Sequence, residues 1–290
     1  MATRRERAAA FFALTKPRII ELLLVTTVPT MVVAAGGWPS LRAVLATLAG
    51  GALAAGGANA GNMYLERDLD AVMGRTSRRP LVTGAVRPNE ALVFVAFLEA
   101  AAFVLLLLAV NALAAVLALA AAGFYVLVYT ALLKRRSPQN IVIGGAAGAM
   151  PVLVGWAAVR GSLSWAPVLL AGLVFLWTPP HFWSLAVRFR EDYARARLPM
   201  MPVVKSLRST GWQILAYSAL TVASSAGFGV LVDLGWVYWA VVAGAGATLL
   251  ALSARFLQKP ENKVAMQLFH WSITYLALVF VAMAVDVLVR

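Results

Sequence analysis

The stretch NMYLERDLD, residues 62–70, stands where a long apolar segment gives way to the basic sequence GRTSRRPL. Asn62, Glu66 and Asp70 are spaced four residues apart, so on a helix their side chains share one face. An amide and two carboxylates in this arrangement are oxygen ligands of the kind that Mg²⁺ prefers. The arginines that follow suit the diphosphate that such a metal often carries: Arg75, Arg78 and Arg79. The stretch therefore predicts a metal and phosphate site at the end of a membrane-spanning helix.

The composition is that of an integral membrane protein. Of 290 residues, 62% are hydrophobic and only 13% are charged, which lies outside the range of soluble domains. The absence of cysteine excludes disulfides, thiolate metal sites and cysteine nucleophiles. The net charge of +13 does not indicate a nucleic-acid partner, because in such a protein the placement of positive charge matters more than its sum. The basic N-terminal segment is too short in apolar length for a cleavable signal peptide.

Nine segments approach the roughly twenty apolar residues that a helix needs to cross a lipid bilayer. They are residues 19–37, 43–63, 91–110, 112–132, 140–159, 164–187, 211–232, 234–256 and 268–288. We divide the long stretch from 91 to 132 at Asn111, because one helix of that length would be about twice too long. The sequence therefore predicts an all-α polytopic membrane protein with nine transmembrane helices, forming a single domain over residues 1–290.

Positive charge predicts the orientation of these spans. If the N-terminus is cytoplasmic, every Lys and Arg except Arg42, Arg160 and Arg290 lies in or beside a cytoplasmic segment. This distribution of Lys and Arg follows the positive-inside rule. It depends on nine spans, because adding or removing one span would move the following loops to the other side of the membrane.

Five of the twelve acidic residues fall in two of the predicted cytoplasmic segments. They are Glu66, Asp68, Asp70, Glu191 and Asp192. These segments follow spans two and six, so they occupy equivalent places in two four-helix halves. A bundle with that pseudo-symmetry would bring both segments to one mouth, with a metal between them. A purely structural alternative is that the acids pair with neighbouring arginines.

The second acidic segment begins with TPPHFWSLAVR at Thr178, where two prolines are expected to break or kink span six. His181, Ser184, Arg188 and Asp192 then recur at spacings of three and four residues and share a face. A histidine and an arginine within a span should face protein or water. His181 either binds a metal or porphyrin or forms a structural hydrogen bond. The tryptophans beside the prolines, Trp177 and Trp183, are candidates for contact with a flat aromatic substrate.

Other features are less specific. In YTALLKRRSPQN, residues 129–140, the basic triplet either anchors the topology or, with its polar neighbours, reaches a phosphate. The residues placed to reach it are Tyr129, Lys134, Arg135, Arg136 and Asn140. The Gly/Ala runs at 48–61 and 144–149 indicate close helix packing and no chemistry. Glu21 is either structural or lines the cavity, and Glu99 and Asp286 have no evident role.

These motifs resemble the UbiA-type intramembrane prenyltransferases. The family pattern N-x-x-x-[DE]-x-x-x-D fits Asn62, Glu66 and Asp70. Within the family, the resemblance is to members that farnesylate heme, and its four segments occur in order. They are TKPRIIELLLVTTVP (15–29), NMYLERDLDAVMGRTSRRPLVTG (62–84), YTALLKRRSPQNIVIGGAAGAMP (129–151) and TPPHFWSLAVRFREDYARARLPMMPVV (178–204). The last three spans match in hydropathy only.

The resemblance implies nine helices around a central cavity, in the bacterial plasma membrane, with the active site towards the cytoplasm. It also implies Mg²⁺-dependent transfer of a farnesyl group from farnesyl diphosphate to a vinyl group of heme b. The product would pass to a heme A synthase or an oxidase.

Carried over by position, the resemblance assigns a role to each group of site residues. The Mg²⁺ ligands would be Asn62, Glu66, Asp70 and Asp192, and the diphosphate-binding residues would be Arg75, Arg79, Tyr129 and Lys134. The heme pocket would contain Trp177, His181 and Arg188. The chain departs from the family pattern at Ala196, where a second acid is usual, so Glu191 and Asp68 are additional candidate ligands. It also departs at Arg197, where a glycine is expected.

Three alternatives remain open on the sequence. A prenyltransferase acting on an aromatic quinone precursor would share the metal site and differ in the acceptor. A transporter can also have kinked spans and buried charge, although here the acidic clusters lie at one face and not at the midplane. A non-catalytic assembly factor for an oxidase would tolerate loss of the acidic cluster.

Overall fold

The structure, a computed structural model, describes residues 3–290, except that the side chains of residues 18–24 lie outside the description. Within residues 3–290 it contains helices and no strands. The predicted all-α fold is confirmed. The expectations for Arg18 and Glu21 fall on side chains outside the described part.

Eight helices are long and apolar enough to cross a membrane. They are α3 (Leu41–Leu65), α5 (Pro88–Ala109), α6 (Ala112–Leu133), α7 (Asn140–Arg160), α8 (Trp165–Arg188), α11 (Leu207–Leu231), α12 (Trp236–Gln258) and α13 (Asn262–Val289). The remaining helices are α1 (Arg4–Leu14), α2 (Pro17–Ala35), α4 (Arg67–Val72), α9 (Arg190–Arg195) and α10 (Met201–Val204). The first predicted span, residues 19–37, corresponds to α2, whose described apolar part, Val25–Ala35, is shorter than a span. The number nine and the cytoplasmic N-terminus therefore stay predictions.

The helices coincide with the predicted spans to within a few residues. The largest difference is at α13, which begins at Asn262 and not at 268, because a helix continues through polar residues that hydropathy does not count. Asn111 lies between α5 and α6, at the position where we divide the long apolar stretch. Its Oδ1 accepts from Ala114 N at 2.8 Å, capping α6, and its Nδ2 donates to Ala157 O at 2.8 Å, tying the turn to α7.

The second half of α6 is a π-helix over Phe124–Leu133. Its wider turn is closed by bonds such as Lys134 N to Tyr129 O at 2.9 Å, and Thr130 Oγ1 donates to Tyr125 O at 2.9 Å. Residues five apart therefore lie on one face. π-Helical turns are rare and are frequently found at functional sites.

The prolines at 179 and 180 do not break α8, which runs from Trp165 to Arg188 without interruption. Hydroxyl groups near the prolines bond to backbone carbonyls within the helix: Thr178 Oγ1 to Val174 O at 2.9 Å and Ser184 Oγ to Pro180 O at 2.6 Å. Each bond runs from a hydroxyl to the carbonyl four residues earlier, so the hydroxyl group finds its partner within the helix itself.

Contacts between helix ends define two ends of the bundle. The site end carries the start of α2 and the ends of α3, α6 and α8. The opposite end carries the turn between α11 and α12 and the end of α13. At the opposite end, Asp286 is buried and its carboxylate accepts from Gly235 N at 2.5 Å and Tyr238 N at 3.4 Å, with Arg290 Nε at 3.3 Å. Asp286, to which the sequence assigned no role, thus caps the N-terminus of α12.

Replacing Asp286 with leucine should lower the thermal unfolding midpoint of the purified protein. The change removes the acceptor for two amides at the start of α12, a loss of about 1–2 kcal/mol for a helix cap. Asp233→Asn is the matched control, because Asp233 is fully exposed at the same end and asparagine tolerates its left-handed backbone. Equal midpoints for the two variants would contradict the capping role.

Candidate active site

An apolar cavity of about 290 Å³ lies in the middle of the bundle. Its walls on α3 and α7 consist largely of small residues: Gly51, Ala54, Ala55, Ala58, Gly144, Gly145, Ala147 and Gly148. These belong to the Gly/Ala runs expected to serve helix packing. That expectation holds for Gly50 and Gly57, which lie against Leu106 and Glu99 of α5. The expectation is incomplete for the small residues that line the cavity, because the same Gly/Ala runs also form its walls.

The cavity extends to the site end, where Asn59, Tyr125 and Tyr129 line it. Asn59 lies one turn before Asn62 on α3, so the acidic motif stands at this end of the cavity.

The three predicted oxygen ligands of the first motif lie together on one face. Helical bonds continue through the junction of α3 and α4, with Glu66 N to Asn62 O at 3.0 Å and Asp70 N to Glu66 O at 2.8 Å. All three side chains are buried. The spacing of four residues therefore survives the junction, and an amide and two carboxylates lie in a row.

Each of these three groups is paired with one basic side chain. Lys16 Nζ lies 2.7 Å from Asn62 Oδ1, and Lys134 Nζ lies 2.5 Å from Glu66 Oε1. Arg79 Nη1 contacts both oxygens of Asp70, at 2.8 and 2.7 Å. Buried charges require such partners. The site therefore contains oxygens of the kind that bind a metal and cations of the kind that bind a phosphate.

Lys16 was counted from sequence only as a topological charge, and the structure places it in the site. Burial, with Arg79 and Lys134 nearby, lowers the pKa of Lys16 to about 7. The resembling segment TKPRIIELLLVTTVP includes this lysine, but nothing local to that segment connects it with Asn62.

The π-helical part of α6 lies beside the acidic motif and contributes side chains to the site. Thr130 Oγ1 accepts from Asn62 Nδ2 at 3.1 Å, and Lys134 Nζ lies 5.7 Å from the centroid of the Tyr129 ring. Tyr129 also packs against Gly144, where an added Cβ would lie 2.3 Å from the ring. Gly144 thus leaves the space that the Tyr129 ring occupies.

The second acidic segment reaches the same end of the bundle. The Arg75 guanidinium lies 5.2 Å from the centroid of the Phe189 ring, which joins the loop after α4 to the junction of α8 and α9. Asp192 is half-buried and pairs with Arg195, and Glu191 is exposed. In the part of the chain that the structure describes, Asp192 forms no hydrogen bond or ion pair with the first motif. Nor does any group of three or more His, Cys, Asp or Glu side chains there converge on a metal position.

Asp68 is turned away from the three buried groups. Both its oxygens accept from Arg135, at 2.8 and 2.7 Å, and this hydrogen bonding lowers the pKa of Asp68. The side chain is 60% exposed, so it forms a surface ion pair, as the structural alternative expected for such acids.

Two of the three predicted heme-pocket residues line the cavity. The His181 ring is stacked between Trp177 at 4.3 Å and Phe269 at 4.6 Å, and its Nδ1 lies 2.8 Å from Ser272 Oγ. Arg188 is exposed at the end of α8 and is not part of the cavity wall that the described residues form. Trp183 packs in the core against Tyr217.

Comparison with known proteins identifies the family. The model of the UbiA prenyltransferase family matches residues 23–281. This chain belongs to the UbiA prenyltransferase family. Among its relatives, a protoheme IX farnesyltransferase of Streptomyces coelicolor is 52% identical over 290 residues, covering 98% of this chain and 92% of that protein.

Solved structures of UbiA-type proteins have the same fold. The chain superimposes on a structure described as digeranylgeranylglyceryl phosphate synthase with a TM-score of 0.82 at 18% identity, covering 98% of this chain and 100% of the other. A UbiA homolog from Archaeoglobus fulgidus bound to GPP and Mg²⁺ matches with a TM-score of 0.63 at 19% identity, covering 94% and 99%. At these identities the likeness shows the fold alone.

Gly144→Ala should reduce prenyl transfer and lower the unfolding midpoint of this UbiA-family protein. The new methyl group would lie on the Tyr129 ring, and such overpacking costs about 1–3 kcal/mol. Gly172→Ala is the matched control, since nothing lies within 4 Å of a Cβ there and Gly172 does not line the cavity. Turnover and midpoint would be measured on detergent-purified protein, and equal values for the two variants would contradict the packing role of Gly144.

Proposed function

We propose that this protein transfers a farnesyl group from farnesyl diphosphate to a vinyl group of heme b, giving heme O and diphosphate. The observation that carries the proposal is the pairing of three buried oxygen ligands with three cations at one end of an apolar cavity. Farnesyl diphosphate has the same division into a charged head and an apolar chain. The acceptor is inferred from the Streptomyces relative and from the aromatic wall formed by Trp177 and His181.

We infer that the first motif and Asp192 bind Mg²⁺ together with the diphosphate. The first motif offers three buried side chains with oxygen atoms on one face of the helix. Mg²⁺ suits such a site, because it usually keeps several water ligands and is bound by one or two carboxylates together with substrate phosphates. The Archaeoglobus homolog bound to GPP and Mg²⁺ supports the choice of metal. When bound, the ion would neutralise charge that develops on the diphosphate as its C–O bond breaks. Asp68 and Glu191 are exposed, and we assign them no direct role.

The cations bind the leaving group. Lys134 and Arg79 now hold Glu66 and Asp70, and in the complex they would contact phosphate oxygens while the carboxylates turn to the metal. Tyr129 lies beside Lys134, and Arg75 lies on the Phe189 ring at the same end of the bundle. We assign both to the diphosphate site. Donors held in position around the diphosphate stabilise the transition state in which charge moves onto it.

The cavity supports the second half of the reaction. The C–O bond breaks with its electron pair leaving on the diphosphate, and the vinyl π electrons of heme form the new bond to the farnesyl carbon. Water then adds to the resulting cation and loses a proton. Apolar walls exclude bulk water from the first cation, and the transfer requires no protein nucleophile.

We place the protein in the bacterial plasma membrane with the site end towards the cytoplasm, because the basic residues concentrate there. A heme A synthase or an oxidase would receive the product. Membership of a prenyltransferase family argues against a transporter or a non-catalytic assembly factor. A quinone-precursor acceptor is the competing function, and the mass of the prenylated product distinguishes the two.

Asp70→Asn and Glu66→Gln should each lower heme O formation by about 100-fold or more, because each removes a charge that holds the metal and its diphosphate. Heme B and heme O would be quantified by mass spectrometry after incubation with farnesyl diphosphate and Mg²⁺. Asp233→Asn is the matched control at the opposite end of the bundle, where the same chemical change should have no effect.

Near-normal turnover in Asp70→Asn or Glu66→Gln would refute the assignment of these carboxylates. A wild-type protein that prenylates an aromatic quinone precursor and leaves heme B unchanged would refute the acceptor.

Gly148→Leu should lower farnesyl transfer about tenfold more than geranyl transfer, because the new side chain would enter the open cavity and shorten it. Gly172→Leu in α8 is the control, since Gly172 also has open space around its Cβ position but does not line the cavity. Equal loss with the two donors would show that the prenyl chain lies elsewhere.

A further inference from the structure

Lys16 is held in place by contacts that no local feature of its own segment explains. It has a left-handed backbone with φ of 52°, directly before Pro17 begins α2. The turn is tied to α3 by Asn59 Nδ2, which donates to Thr15 O at 2.9 Å, and by the contact of Thr15 with Gly56. A left-handed lysine is costly, and such strain tends to occur at functional sites.

The ammonium group of Lys16 is hydrogen-bonded to the Asn62 side-chain oxygen, which is the atom that would bind a metal. Asn62 Nδ2 donates to Thr130 Oγ1 at 3.1 Å, which fixes the amide with its oxygen towards Lys16. Lys16 Nζ donates to that oxygen at 2.7 Å. A divalent cation and this ammonium group therefore compete for a single oxygen.

We propose that Lys16 is a further diphosphate-binding residue, which holds the Asn62 oxygen until a metal and a diphosphate bind and then donates to the diphosphate. The inference rests on the proposed function. It follows the pattern of the two neighbouring pairs, since Lys134 and Arg79 likewise hold a carboxylate of the same motif. Lys16 comes from the turn between α1 and α2, whereas Lys134 comes from the end of α6 and Arg79 from the loop after α4.

The proposal predicts two effects of opposite sign. Without the Lys16 charge, a diphosphate loses a charge-assisted hydrogen bond and binds more weakly. A divalent cation loses a competitor and a like charge beside Asn62, so it binds more tightly. General damage to the site would weaken both.

The test uses full-length protein purified in detergent, with inorganic pyrophosphate and Mn²⁺ as the probes. Pyrophosphate affinity in the presence of Mg²⁺ is measured by calorimetry, and Mn²⁺ affinity without pyrophosphate by electron paramagnetic resonance. Lys16→Gln should weaken pyrophosphate binding roughly tenfold and strengthen Mn²⁺ binding about threefold. Lys16→Arg should stay within about threefold of wild type for pyrophosphate, because it retains the charge.

Lys263→Gln is the matched control, since Lys263 is exposed at the start of α13 and has no contact with the site. Equal pyrophosphate affinity in Lys16→Gln and Lys263→Gln would overturn the proposal. So would a loss in Lys16→Arg as large as that in Lys16→Gln, or weaker binding of both probes in Lys16→Gln. A wild-type protein that binds no pyrophosphate would refute the proposed function itself.

Discussion

The pairing of buried oxygens with cations at the site end is the constraint on which the rest of the structure depends. Charge buried in an apolar bundle is costly unless each group has a partner. The partners of Asn62, Glu66 and Asp70 come from three separate places: the turn before α2, the end of α6 and the loop after α4. These pairs therefore draw together elements that are distant in the chain, and they leave both signs of charge available to a ligand that carries both a metal and phosphates.

The cavity and the polar site meet without an intervening layer. Asn59, Tyr125 and Tyr129 belong to the cavity wall, and the last two are stacked rings on the π-helical part of α6. The wide turn of that helix places aromatic rings towards the cavity while Thr130 and Lys134 reach the acidic motif. An amphiphilic substrate could thus extend from the charged end of the site into the apolar cavity without crossing the surface of the bundle.

At the opposite end, polar side chains hold the turns between helices. Asn111 caps α6 and bonds to α7, and Asp286 caps α12 from the end of α13. Each satisfies backbone amides that the membrane could not. The two ends of the bundle therefore use acidic and amide groups differently, to pair with basic side chains at one end and to cap helix termini at the other.

Sequence alone determined the features that depend on local order. Hydropathy and length predicted the eight helices that are long and apolar enough to cross a membrane. The spacing of Asn62, Glu66 and Asp70 predicted that these residues share one face, because spacing and length both follow from the geometry of a single helix. The Gly/Ala runs were visible but ambiguous, since small residues serve packing and cavities equally and only the neighbouring helices distinguish the two.

Tertiary structure alone decided which groups meet. Lys16 and Asn62 are 46 residues apart, and Asn62 and Thr130 are 68 apart, so no periodicity in the sequence connects them. The π-helix, the space that Gly144 leaves for Tyr129 and the cap formed by Asp286 likewise depend on contacts between helices. Burial makes these long-range contacts obligatory, because a polar group removed from water must find its partner wherever the fold supplies one.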